Sequence, residues 1–144
     1  MKRITTTTEK ETWQEGFNLA GELGGGEVLA LMGDLGAGKT KFLQGLAKGL
    51  GVKGRVNSPT FNILKIYPVV SNKRVKQFCH IDAYRLESAQ DLLSLGIEEY
   101  FQDLKTVTAI EWAERVKGLF TKKTIKIKIQ HIASEKRAIL IYKK

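Results

Sequence analysis

Cysteine is almost absent: the chain has one, Cys79, among 144 residues. A single thiol excludes an internal disulfide, and with no partner at ligand spacing it excludes a cysteine-based zinc site. Its place in the apolar run "VKQFCHI" predicts a buried small side chain. Long apolar runs are missing too, and none approaches the roughly 20 residues that a membrane span needs. The opening "MKRITTTTEK" lacks an apolar signal core, which predicts a protein that is not exported and works in the cytoplasm. No internal repeat and no low-complexity linker interrupts the chain. With 42% hydrophobic and 27% charged residues it has an ordinary globular composition, and its length predicts a single domain over 1–144.

Acidic residues are scarce at one end only. From Lys117 to Lys144 nine Lys or Arg face a single acid, Glu135, whereas the rest of the chain holds fifteen basic and fourteen acidic residues. A basic C-terminal surface can steer a protein to RNA or to an acidic protein. The same residues also read as an amphipathic strand: in "TKKTIKIKIQ" the alternation sends Ile125, Ile127 and Ile129 to a core and Lys126 and Lys128 to solvent.

Residues 2 to 5 predict a short strand. Thr8 and Glu11 form a T-x-x-E helix start, and Trp13, Phe17, Ala20 and Leu23 recur at helical spacing up to the "GELGGG" break. "EVLALMG" predicts a buried strand. Phe42, Leu43, Leu46, Ala47 and Leu50 form a helical stripe closed by Gly51. Pro59 sets an extended segment before the alternating "FNILKIY", and "SNKR" separates it from "VKQFCHI" as a hairpin turn would. Ser88 and Asp91 start a further helix, followed by the amphipathic "IEEYF". "TVTAIEW" predicts another buried strand, and two final strands flank "ASEK". Interleaved strands and helices give an α/β class, a mainly parallel sheet with antiparallel edge strands, flanked by helices.

Between the "EVLALM" strand and the next helix stands "GDLGAGKT", which fits G-x-x-x-x-G-K-T with Gly33, Gly38, Lys39 and Thr40 in the fixed positions. A helix N-terminus has unpaired N–H groups and about half a positive charge. Glycines let the chain curl so that several N–H groups converge on phosphate. In such a phosphate loop the lysine reaches the terminal phosphates and the threonine hydroxyl ligates magnesium. The strand-then-helix context makes the match specific, and the class is P-loop NTPase-like.

Such loops borrow a carboxylate from a neighbouring strand end. Asp82 in "FCHIDAYR" and Glu111 in "VTAIEW" both end apolar runs. Either can instead cap the next helix, and composition does not separate their roles. A guanine-specific N-K-x-D element is absent, since "NKRV" lacks the aspartate, and Asp82 does not begin D-x-x-G. This favours ATP over GTP. A small-molecule kinase would close an arginine-bearing lid over the phosphates, for which only Arg85, Arg55 and Arg74 are available. That class, and a nucleotide-gated binding module with negligible hydrolysis, stay open on the residues alone.

Four elements, "GDLGAGKT", "NSPTF", "HIDAYRL" and "IEW", stand in an order and spacing that resemble the TsaE family (also YjeE or YdiB), from about Glu9 to Ala113. The resemblance implies a compact α/β phosphate-loop domain with slow, magnesium-dependent ATP hydrolysis. It further implies service to threonylcarbamoyladenosine formation at adenosine 37 of tRNA, acting through the TsaB–TsaD pair, with TsaC supplying the activated intermediate. By the same resemblance Asp34, Gly36, Ala37, Gly38, Lys39 and Thr40 cradle the nucleotide, and Thr40 and Glu111 lie on the magnesium. Asp82 positions or activates the attacking water, Thr60 in "SPTF" approaches the γ-phosphate, and Trp112 matches a functionally required tryptophan. Glu9 aligns with a region that touches nucleotide, and it is equally a first-turn helix residue. Lys41 stands where many relatives carry a second threonine. The C-terminal strands match only in pattern, so tRNA contact through them is an expectation from charge.

Overall fold

A computed structural model describes residues 1–59 and 61–143. Strand β1 (Lys2–Thr6) leads to helix α1 (Glu9–Ala20), then β2 (Val28–Met32) and α2 (Lys39–Leu50). A hairpin of β3 (Leu64–Pro68) and β4 (Gln77–Asp82) precedes two short helices, α3 (Ala89–Leu93) and α4 (Glu98–Gln102). Strand β5 (Thr106–Glu111) runs into a 3-10 segment, Ala113–Leu119, and the hairpin of β6 (Ile125–Ala133) and β7 (Lys136–Tyr142) ends the chain.

The strands form one sheet in the order β1-β7-β6-β2-β5-β4-β3. The interior run β6-β2-β5-β4 is parallel, and β1, β7 and β3 join antiparallel at the two edges. This is the mainly parallel sheet with antiparallel edges that the sequence predicts. β2 and β5 are buried almost throughout, as strands covered on both faces must be. One face packs Leu29, Leu31, Val107, Ile127 and Ile139 under α1 and α2. The other packs Ala30, Cys79, Ile81 and Ile110 under Leu92, Ile97 and Val116 of the shorter helical elements. Among the described residues no helix is long and apolar enough to cross a membrane.

Helix α1 starts as its sequence predicts, with the Thr8 hydroxyl accepting from the Glu11 N–H at 3.1 Å. The reciprocal bond is shifted by one residue: Glu11 Oε1 accepts from the Thr7 N–H at 2.9 Å. The buried face departs from the expected aromatic stripe. Thr12, Gly16, Leu19 and Ala20 turn inward, while Phe17 is 39% exposed and stacks with Trp13 at the rim, ring centroids 5.4 Å apart. The cause lies in α2, where a Cβ at Gly45 would stand 1.8 Å from the Trp13 carbonyl oxygen. The two helix backbones touch, and bulky side chains have no room between them. The 3-10 segment was not legible in the sequence. It has no apolar period, and its φ/ψ break at Val116 interrupts any regular helix.

Candidate functional site

The parallel strands set the site. Leu31 of β2 lies in register with Glu111 of β5, and Glu111 with Asp82 of β4, so two carboxylates meet at the carboxyl end of the sheet beside the loop that leaves β2. Where the glycine loop leaves β2 only glycine fits, because a Cβ at Gly33 (φ 149) would stand 2.4 Å from the Ile129 carbonyl oxygen. Lys39 opens α2 and is only 5% exposed. Its Nζ donates to the Gly33 and Asp34 carbonyls and sits 4.0 Å above the centroid of the Trp112 ring. Burial lowers the Lys39 pKa, while the carboxylates of Glu114, Glu111, Asp34 and Asp82 pull it back up. The two carbonyls and the indole ring fix Nζ at the base of the loop.

Glu111 is the hub of the floor. Its Oε1 accepts from the Thr40 hydroxyl at 2.8 Å, and its Oε2 accepts from the Ser58 hydroxyl at 2.6 Å and lies 2.7 Å from His80 Nε2. Thr40 and Ser58 are themselves 2.9 Å apart. Burial alone would push the Glu111 carboxyl up, but the bonds and charge from His80 and the bonds from Ser58 and Thr40 outweigh it and leave the pKa lowered. An ionised carboxylate only accepts, so His80 Nε2 carries the proton. Its buried Nδ1 is without a hydrogen-bond partner among the described residues. Asp82 has the opposite balance. Burial raises its pKa, with Glu111 adding to the rise; the Tyr84 N–H, donating to Asp82 Oδ1 at 2.9 Å, His80 and Lys39 offset part of it.

Trp112 adopts a left-handed backbone (φ 57), a conformation that costs a bulky residue energy and concentrates at functional sites. The turn swings its ring over Lys39, where Tyr84 packs against it edge-on at 4.9 Å. Arg115 lies 5.3 Å from the Tyr84 ring and 6.0 Å from the Trp112 ring.

The structure thus brings Gly36, Ala37, Gly38, Lys39, Thr40, Asp82, Glu111 and Trp112 to one cleft, with Glu9 on its rim. Glu9 is exposed there, its carboxylate 3.9 Å from Lys41 Nζ. Asp34 differs from expectation. It lines the hollow on the other side of the loop and contributes its carbonyl, which accepts from Lys39 and from the Ala37 N–H. Thr60 lies outside the described residues. Two residues escaped the sequence reading. Ser58 stands in the "NSPTF" element, where its polarity beside Pro59 was the available signal. Arg137, whose guanidinium grips the glycine loop from β7, had no local signal at all.

Among the described residues no three His, Cys, Asp or Glu side chains cluster as a metal cage. The Thr40 hydroxyl and the Glu111 carboxylate, the latter held by the Ser58 hydroxyl, offer oxygen donors only, which suits a hard ion such as magnesium that keeps waters and phosphate oxygens in its shell.

A family model described as "Threonylcarbamoyl adenosine biosynthesis protein TsaE" matches residues 6–139. The chain belongs to the TsaE family. The TsaE protein of Bacillus subtilis is 41% identical over 114 residues, covering 79% of this chain and 68% of that protein. The TsaE protein of Treponema pallidum is 34% identical over 139 residues, 96% of this chain and 98% of the relative. Among solved structures, the crystal structure of Bacillus subtilis YdiB superposes with a TM-score of 0.75 at 32% identity, covering 97% of this chain and 83% of that one. The TsaE match extends past Ala113 through β6 and into β7. The basic hairpin therefore belongs to the family domain, although its motifs did not reveal that.

Proposed function

We propose that this TsaE-family chain is a magnesium-dependent ATP-binding and ATP-hydrolysing accessory protein. In this reading it serves threonylcarbamoyladenosine modification of tRNA at adenosine 37 and acts through the TsaB–TsaD complex. The observation that carries the proposal is the 2.8 Å bond between Thr40, on the helix after the phosphate loop, and Glu111, on the neighbouring strand. That pair stands where a phosphate-loop protein needs its hydroxyl and its strand carboxylate together.

Each residue then has a task. The loop N–H groups and Lys39 bind and neutralise the phosphates, and the α2 N-terminus adds its dipole. Thr40 and Glu111 would hold magnesium, with Ser58 and His80 keeping the carboxylate ionised and oriented. The ion, when bound, neutralises charge developing on the phosphate oxygens. Asp82, whose pKa burial raises, is suited to orient a water and accept its proton. Leu35 and Tyr84 line the cleft and are 84% and 46% exposed. Such apolar surface at a nucleotide mouth suits a protein partner that reads whether the cleft is filled.

The test is free-phosphate release from Mg-ATP by the purified chain, alone and with TsaB and TsaD. Slow release that rises with the partners and disappears in Lys39→Ala is expected. A flat rate in both conditions contradicts the proposal. The exposed lysines of β6 are proposed as a tRNA contact; tRNA affinity that falls steeply with salt supports it, and affinity indifferent to salt removes it.

A further inference from the structure

We infer that Arg137 is a positioning residue of the phosphate loop: from the C-terminal hairpin it holds two loop carbonyls and thereby fixes the peptide unit that presents the Gly38 N–H to phosphate. Its consequence for binding rests on the ATP reading above.

Arg137 Nε donates to the Ala37 carbonyl at 2.9 Å and Nη2 donates to the Gly36 carbonyl at 3.2 Å. On its other edge Nη1 donates to the Ser134 and Lys136 carbonyls at 2.9 and 3.3 Å. The guanidinium thus joins the β6–β7 turn to the centre of the glycine loop, 100 residues away in sequence. A shift in register between His131 and Ala133 and a left-handed Ser134 (φ 47) shape the turn that carries it.

The peptide unit explains what the grip accomplishes. The Ala37 C=O and the Gly38 N–H belong to one planar trans unit and point in opposite directions. With the carbonyl bound to Arg137, the Gly38 N–H is turned to the side away from Arg137. Glycine-rich backbone is free to rotate such units, so a loop without the brace loses part of its preorganisation for an anion. Only a planar fork with several donors can bind the loop and the turn together. Lysine brings the charge without the fork.

Three measurements on the full chain decide the matter: ADP affinity by calorimetry with magnesium present, hydrogen–deuterium exchange of residues 33–40 in the nucleotide-free chain, and the melting temperature. Arg137→Ala should weaken ADP binding by about tenfold and speed exchange in the loop. Arg137→Lys should resemble Arg137→Ala in both, with melting little changed. Full recovery in Arg137→Lys would show that charge alone acts and would overturn the inference. So would a general rise in exchange across β6 and β7 with lower melting and unchanged affinity, which marks a stability role. If the wild type binds neither ADP nor ATP, the ATP reading fails on its own account. Exchange of 33–40 then still decides: unchanged loop exchange in Arg137→Ala refutes the brace, and faster loop exchange supports it.

Discussion

Trp112 adopts strained backbone and thereby places an indole face 4.0 Å from Lys39 Nζ. A cation held over an indole is worth about 0.5–2 kcal/mol. Trp112→Ala should therefore weaken nucleotide affinity by about 2- to 30-fold, and Trp112→Phe should recover much of it, as a calorimetric titration of each variant would show. Cys79 offers a simpler check. Burial pushes its thiol pKa up to about 12, and the side chain is fully enclosed. A thiol reagent at pH 8 should leave the folded chain unmodified and label it at once in denaturant; rapid labelling of the native protein would contradict the packing. At this scale legibility depended on spacing. Gly33, Gly38, Lys39 and Thr40 carry a fixed local interval, so they could be read directly. The contacts of Glu111 with Thr40 and Ser58 span 71 and 53 residues, and a contact made by folding leaves no interval to read. Glu111 was found because a strand end could be inferred; Ser58 and Arg137 were assigned no role.

The elements show where period succeeds and where it misleads. β6 alternates as "IKIKI" and places Ile125, Ile127 and Ile129 inside with Lys126 and Lys128 outside. In α1 the period was present, yet the buried face turned away from Trp13 and Phe17, because glycines in the partner helix decide how closely the two helices approach. Gly45→Ala should cost about 1–3 kcal/mol, the usual penalty for overpacking, and thermal melting would measure it; an unchanged midpoint would contradict the 1.8 Å approach to the Trp13 carbonyl. Asp103 fixes the start of β5 through the Lys105 N–H at 2.9 Å and the Thr106 hydroxyl at 2.8 Å. These bonds hold its pKa below the ordinary value. A carboxylate with a depressed folded value stabilises fully above its unfolded pKa and loses that contribution as pH falls through the folded one. Asp103→Asn should therefore be less stable than wild type at neutral pH and converge with it in strong acid, as melting at a series of pH values would show.

For the whole molecule the decisive fact is strand order. Placing β5 between β2 and β4 sets Glu111 beside Asp82 and both beside the loop. The α/β class and the parallel interior were legible from alternating elements, but the order of strands was not. The C-terminal charge has a structural explanation as a solvated strand face. Lys126→Glu with Lys128→Glu should therefore change stability by no more than about 0.5 kcal/mol per site, whatever it does to RNA. A large loss of melting temperature would show that these lysines support the fold.

ATP binding in the cleft above Thr40 and Glu111 is the proposal on which the other roles depend. It is tested most directly by calorimetric titration of the chain with ATP, with and without magnesium, beside Lys39→Ala and beside GTP. The account predicts saturable ATP binding tightened by magnesium, weaker GTP binding, and no measurable binding in Lys39→Ala. Equal affinity in wild type and Lys39→Ala, or no binding in either, would contradict it.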